Sequence, residues 1–223
     1  MFTYQHIRQE IKDHSMLQNV ACMLPCTVEW MSGELQKLSP GSRMVEFGTF
    51  MGGTIARLAK ANPHVEIHSI DLNNFESWAE DDHMFIALKN HYNLPNLKLC
   101  DLLEIQKIHT EDFKNIFLYT GDTLSLDIDN ISMALIDASH FEEDVTKELE
   151  YLWPRMLDGA CIFGDDANDP GVANAFLKFA KSKDIEVTFY SKCVRIKKQE
   201  PISHANRSDH LWDTLLFTEI VQC

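Results

Sequence analysis

Hydrophobic positions along the chain follow two periods, and their alternation predicts short strands separated by helices. Apolar residues that run together or alternate over a short stretch predict β-strands. The predicted strands are residues 43–47, 65–71, 97–100, 116–120, 131–136, 160–163, 186–190 and 192–197. Apolar residues that recur at helical spacing predict helices. These are residues 4–20, 27–38, 54–61, 77–92, a segment around 101–113, residues 141–157, a segment from 170 or 171 to 181, and residues 211–221.

The order of these elements predicts an α/β fold with a doubly wound, mostly parallel sheet. The last two strands are expected to form a hairpin. Ligands of such sheets bind where the carboxyl ends of the strands meet. Acidic residues occupy these ends: Glu46, Asp71, Asp122, Asp137, Asp165 and Asp166. A solvated loop explains any one of them, but together they predict a shared site at this edge of the sheet.

A glycine-rich stretch, VEFGTFMGGT at residues 45–54, follows the first strand. It lacks the G-x-G-x-x-G spacing of dinucleotide-binding turns and the Lys-Ser or Lys-Thr pair of a P-loop. Glu46 would repel a pyrophosphate but would favour a cationic ligand such as S-adenosylmethionine. Asp71 is then placed to accept both ribose hydroxyls, and Asp122 to lie near the adenine edge. The glycines alone also fit a purely structural turn, and their combination with Asp71 favours the cofactor.

The carboxylates of Asp137, Asp165 and Asp166 follow two strands that are expected to be neighbours. Their repulsion would be relieved by a hard divalent cation such as Mg²⁺, which prefers oxygen ligands. The alternative is an acidic rim in which Asp165 caps the next helix. His140 lies in the loop after Asp137, where it could accept a proton from a substrate hydroxyl.

Composition and charge limit the classes of partner that the protein is expected to bind. The net charge of -14 disfavours nucleic acid and anionic membranes, and no apolar run is long enough to cross a bilayer. The polar N-terminus lacks the features of a signal peptide. The six cysteines are expected to be free thiols in a reducing cytoplasm, although Cys22 and Cys26 have the spacing of half a zinc site.

The chain resembles class I S-adenosylmethionine-dependent methyltransferases, and among them the metal-dependent O-methyltransferases of sugars, including macrolide sugars, and small natural products. The resemblance covers residues 44–190 and is carried by VEFGTFMGGT, HSIDLNN, YTGDT and ALIDASHFEEDVTKELEYLWPRMLDGACIFGDD. It implies a seven-stranded Rossmann-like methyltransferase fold with N-terminal helices. Ala138 and Ala160 stand where the family often has glycine, and both are small enough to keep the fold.

The resemblance also implies roles for individual residues. Glu46, Gly48 and Thr49 would hold the methionine part of the cofactor, and Asp71 its ribose. Asp137, Asp165 and Asp166 would bind Mg²⁺, with His140 as general base. Thr54, which ends the first motif, and Asp122 complete the set of expected cofactor-binding residues.

Three segments are predicted: an N-terminal helical extension or lid at 1–40, a cofactor-binding domain at 41–200 and a C-terminal helical tail at 201–223. The expected activity is methyl transfer to a hydroxyl of a small-molecule acceptor, in a protein that could form a homo-oligomer. Two alternatives stay open. One is a metal-independent methyltransferase or a related sugar-modifying enzyme, and the other is an inactive module that binds a cofactor or a protein partner.

Overall fold

The computed structural model describes residues 23–74, 85–86, 89–90, 98–99 and 101–199. The helices of this part are α1 (Pro25–Leu35), α2 (Gly53–Ala61), α3 (Asp101–Thr110), α4 (Glu142–Leu152) and α5 (Pro170–Lys183). The strands are β1 (Arg43–Phe47), β2 (Glu66–Asp71), β3 (Ile116–Thr120), β4 (Ile131–Ile136), β5 (Met156–Gly164), β6 (Val187–Tyr190) and β7 (Cys193–Lys197). Two 3₁₀ turns, Thr123–Ser125 and Trp153–Arg155, connect them.

In the described part of the chain, seven strands form one sheet in the order β3-β2-β1-β4-β5-β7-β6. The first five positions of this order pair in parallel, whereas β7 runs antiparallel to both β5 and β6. This confirms the predicted doubly wound, mostly parallel seven-stranded sheet with a terminal hairpin. The order reverses at β1, so the ends of β1, β2 and β4 surround the switch point where such sheets bind ligands.

Helices cover both faces of the sheet, which explains why its central strands are apolar on both sides. In β1, Val45 and Phe47 pack into the cluster that includes residues of α4 and α5. Met44, one residue before Val45, packs into the opposite cluster with residues of α1 and α2. Successive side chains of a strand point to opposite faces, so both faces are filled. The strand ends are therefore the places where polar groups of the sheet can meet a ligand.

Two sequence predictions are wrong in detail. The helix predicted at 141–157 ends at Leu152, and β5 already begins at Met156. Pro154 lies in the 3₁₀ turn between them, and a proline has no N–H with which to continue an α-helix. The strand predicted at 97–100 is not formed at residues 98–99, where the chain turns into α3. There the Lys98 N–H donates to the Asp101 carboxylate at 2.8 Å, and the Asp101 N–H donates to the Lys98 carbonyl at 3.0 Å.

Other predictions fall partly or wholly outside the described residues. The helices expected at 4–20 and 211–221 lie outside them, and of the helix expected at 77–92 only residues 85–86 and 89–90 are described, all four helical. Cys161 and Cys193 are free and buried, as expected. Cys26 is disulfide-bonded, so the prediction that all six cysteines are free thiols is wrong for this residue. Sequence spacing does not show which thiols come together in the fold. Within the described ranges, no helix combines the length and the apolarity that a bilayer span requires.

Candidate active site

The turn between β1 and α2 is shaped by glycines. Gly48 has a φ of 94° and Gly52, the N-cap of α2, a φ of 72°, both in the left-handed region that glycine tolerates. The Gly48 N–H donates to the Ile70 carbonyl at 2.9 Å. A Cβ on Gly48 would overlap the backbone carbonyl of Asp137. Gly48 thus lets this turn lie directly against the backbone at the end of β4.

Glu46 lies buried at the end of β1. Its carboxyl accepts a very short hydrogen bond from the Ser69 hydroxyl, and the Ser69 Oγ lies 2.6 Å from the Thr49 Oγ1. Burial raises the pKa of Glu46 to about 8, with repulsion from Asp71 adding to the effect and the Ser69 bond opposing it. In the protein without a ligand, this carboxyl is therefore mainly protonated at neutral pH, and a nearby cation would favour its ionised form.

The Asp71 carboxylate holds the glycine turn. Its Oδ2 accepts the N–H groups of Thr49 and Phe50, both at 2.8 Å, and its Oδ1 accepts the Asn73 N–H at 2.7 Å. A carboxylate has about four acceptor positions, of which these bonds occupy three. Both ribose hydroxyls could be accepted together only if one of the three amides moved. The predicted ribose contact stays a prediction.

The carboxylates after β4 and β5 converge. The two strands are parallel neighbours in which Ile136 pairs with Gly164, so Asp137 and Asp165 follow at equivalent positions. Burial raises the pKa of Asp137 well above its usual range, and Asp165 adds the next largest effect. Burial and the neighbouring Asp166 raise the pKa of Asp165 to about 6. The three charges are thus close enough to repel one another.

The His140 loop completes this edge of the sheet. The His140 Nε2 lies 3.6 Å from the Asp166 Oδ2, with both side chains partly exposed. A Cβ on Gly171, in the first turn of α5, would overlap the His140 carbonyl, so this glycine lets the loop pack on the helix. The cap of α5 is Asp169, whose carboxylate accepts the Gly171 N–H at 2.8 Å. The alternative that Asp165 caps this helix is therefore wrong.

The acid cluster suits a divalent cation in its chemistry but is not preassembled as a metal site. Its donors are carboxylate oxygens, which Mg²⁺ prefers, and a cation would relieve their repulsion. Among the residues that the structure describes, no three His, Cys, Asp or Glu side chains already have the arrangement of metal ligands.

The two remaining predicted residues are Thr54 and Asp122. Thr54 is buried in the first turn of α2. Asp122 caps the turn after β3, and its Oδ1 accepts the Leu124 N–H at 2.8 Å. An open hollow of about 590 Å³ exists at the opposite edge of the sheet, between the segments that precede β1, β2 and β3, and contains none of the predicted site residues.

Sequence reasoning missed four polar residues around the turn: the buried Ser69, Gln106 and His109, and the half-buried Asn73. Ser69 had only a weak signal, because its neighbours His68 and Asp71 are polar as well and its register pairing with Glu46 is seen only in the structure. Gln106 and His109 also had only a weak signal, which is their spacing of one helical turn among the apolar residues of α3.

Comparisons with known proteins agree with this fold. Residues 45–167, more than half of the chain, match a protein-family model described as methyltransferase domain. The chain has no significant match among curated proteins. It is similar to the O-methyltransferase NovP, with 16% identity and a TM-score of 0.55 over 78% of this chain and 80% of that one.

Two further solved structures share the fold. CalS11, a TDP-rhamnose 3'-O-methyltransferase of calicheamicin biosynthesis, has 13% identity and a TM-score of 0.51 over 86% of this chain and 93% of that one. A SAM-dependent O-methyltransferase from Thermotoga maritima has 12% identity and a TM-score of 0.53 over 86% of this chain and 71% of that one. At such identities the similarity establishes the fold alone.

Proposed function

Because the chain belongs to the methyltransferase domain family, we propose that it transfers the methyl group of S-adenosylmethionine to a hydroxyl of a sugar or another small natural product. We further propose that Mg²⁺ assists, held by Asp137, Asp165 and Asp166, and that His140 is the general base. The similarity to NovP and CalS11, which are named as O-methyltransferases, supports oxygen as the accepting atom.

One observation carries the proposal: the glycine turn packs against the backbone of the strand end that leads into the acid cluster. Gly48 packs against the Asp137 backbone, and Asp137 lies beside Asp165 across the β4–β5 pair. A donor seated on the turn and an acceptor seated on the acid cluster would therefore be neighbours. Such placement turns a bimolecular reaction into one between held groups, which accounts for much of a catalysed rate.

In the proposed reaction each of these side chains has a separate role. Glu46, ionised by a nearby sulfonium or ammonium charge, would hold the methionine part of the donor, and Thr49 would fix Glu46 through Ser69. The acceptor oxygen attacks the methyl carbon, the carbon–sulfur bond breaks, and the hydroxyl proton passes to the His140 imidazole. Asp166, 3.6 Å from the His140 Nε2, stabilises the imidazolium that forms. A divalent cation on the three aspartates would supply Lewis acidity toward the acceptor hydroxyl.

The proposal is tested with purified protein by calorimetric titration with S-adenosylmethionine and by mass spectrometry of products from a panel of sugar and phenolic acceptors. Asp165→Ala should lower methyl transfer by about 100-fold or more while cofactor affinity changes little. Removing one of three mutually repelling carboxylates should not destabilise the fold. The control is Asp158→Ala, an exposed carboxylate near the other end of β5, which should keep full activity.

The outcomes separate the alternatives. Full turnover in EDTA, or in Asp165→Ala, would remove the metal and favour a metal-independent methyltransferase. An absence of heat on titration with S-adenosylmethionine would overturn the enzymatic proposal and favour a module that binds other partners.

A further inference from the structure

Side chains from α3, outside the predicted site, hold the carbonyl groups of the glycine turn. The Gln106 Nε2 donates to the Phe50 carbonyl at 2.7 Å and to the Asn73 Oδ1 at 3.1 Å. The His109 Nδ1 donates to the Met51 carbonyl at 2.6 Å. Both side chains are buried, with 6% and 2% of their surface exposed. Two consecutive carbonyls of the turn are thus bound by one helix.

The same turn is bound from its other side by Asp71, which accepts the N–H groups of Thr49 and Phe50. Phe50 therefore has both its N–H and its carbonyl fixed by side chains. Its φ of 47° lies in the left-handed region, which a residue with a Cβ rarely adopts. Such a conformation persists only where the surroundings impose it.

We propose that Gln106 and His109 are positioning residues for S-adenosylmethionine: they hold the turn in the strained shape in which Gly48 and Thr49 can receive the methionine part of the donor. The inference rests on the proposed function. Neither residue needs to touch the cofactor. Without their N–H donors, the Phe50 and Met51 carbonyls would lose these two hydrogen bonds, and the turn would relax toward other conformations.

The tautomer of His109 follows from its hydrogen bond to the Met51 carbonyl. A nitrogen that donates to a carbonyl carries the proton, so the neutral ring has Nδ1–H and a bare Nε2. That Nε2 is buried and has no hydrogen-bond partner among the described residues. Asparagine can place an N–H near the position of Nδ1, whereas phenylalanine keeps the ring and removes the donor. These two substitutions separate hydrogen bonding from packing.

The variants Gln106→Met and His109→Phe remove one donor each and keep most of the side-chain volume. We expect each to weaken the affinity for S-adenosylmethionine, measured by calorimetry on the full chain, by about tenfold, because only a fraction of molecules would keep the binding-competent turn. His109→Asn should restore affinity to within about twofold of the wild type. The control is Ile108→Ala, a buried apolar position on the same helix, which should lower the melting temperature but leave the affinity unchanged.

A second measurement makes the result independent of the cofactor. Amide hydrogen exchange of Thr49 and Phe50 in the ligand-free protein should accelerate about tenfold in Gln106→Met and His109→Phe, and not in Ile108→Ala. Unchanged exchange in the first two variants, or unchanged affinity when the wild type binds, would overturn the inference. If the wild type does not bind S-adenosylmethionine, the proposed function fails, and exchange alone decides whether α3 holds the turn.

Discussion

Glu148 is a buried carboxyl that the proposed reaction does not use, and it should make the stability of the protein depend on pH. It lies on α4 with 4% of its surface exposed. Its Oε1 accepts a hydrogen bond from the Thr123 hydroxyl at 2.8 Å, and its buried Oε2 has no partner among the described residues. Burial raises its pKa to about 7, with repulsion from Asp144 and Asp122 contributing and the Thr123 bond opposing.

The sign and size of the effect follow from this pKa. The folded protein prefers the protonated carboxyl, whereas the unfolded chain ionises near the ordinary value of about 4.3. The preference therefore stabilises the fold fully below about pH 4, is lost as the pH rises, and is gone above about pH 7. Relative to a glutamine, which stays neutral, the glutamate should lower the free energy of unfolding at pH 8 by about 4 kcal/mol at most, since one pH unit corresponds to about 1.4 kcal/mol.

Urea unfolding of wild type and Glu148→Gln at several values between pH 5 and pH 8 measures this difference. We expect the variant to be more stable at pH 8, with the difference shrinking steadily toward pH 5. Glu150→Gln is the matched control, because Glu150 lies on the exposed side of the same helix and should show no such trend. A stability difference between Glu148→Gln and wild type that stays constant with pH would refute the reasoning.

Two further predictions concern the turn. Gly48→Ala should destabilise the protein by ~1–3 kcal/mol more than Gly159→Ala in urea unfolding. Both glycines have a positive φ, but of the two only Gly48 would place a Cβ against another group, the Asp137 carbonyl. Equal losses of stability would show that this contact is not tight. At pH 7, binding of S-adenosylmethionine should release up to ~0.9 proton from Glu46, since the pKa of about 8 leaves it protonated and a cation favours ionisation. The heat of binding of the wild type should then differ between phosphate and Tris buffers, whereas that of Glu46→Gln should be the same in both. A wild-type heat that is the same in both buffers would contradict this prediction.

The positions of the strand ends were predictable because buried strands are apolar and parallel strands end at the same edge of the sheet. A run such as Ile131–Ile136, apolar and flanked by polar residues, identifies a buried strand, and parallel neighbours bring their carboxyl ends to one edge. Asp137 and Asp165 could thus be placed near each other without knowledge of any contact. The end of α4 could not be placed by periodicity, because the apolar spacing continues past Pro154 although the backbone hydrogen bonds cannot.

The residues that hold the glycine turn, Gln106 and His109, could not be predicted for a different reason. Gln106 and His109 are polar residues on a helix, which is usually a sign of exposure, and nothing in their spacing says that they face backbone carbonyls. Their role depends on where α3 lies relative to the turn, which is set by packing between distant parts of the chain. The strained φ of Phe50 likewise has no sequence signal, since phenylalanine does not favour that region.

The distribution of charge gives a physical reason for a cationic donor. A chain of net charge -14 could place its carboxylates on the surface, where solvent and salt screen them. Here Glu46, Asp137 and Asp165 instead meet where burial raises all three pKa values. Proton uptake relieves the repulsion only in part, because a carboxyl with a pKa of about 6 is mainly ionised at pH 7. A divalent cation at Asp137 and Asp165 would relieve the remainder. The sulfonium charge of S-adenosylmethionine, which S-adenosylhomocysteine has lost, would favour the ionised form of Glu46. Ionised Glu46 therefore favours the donor over the spent product, so the same buried carboxyl would promote loading before the reaction and release after it.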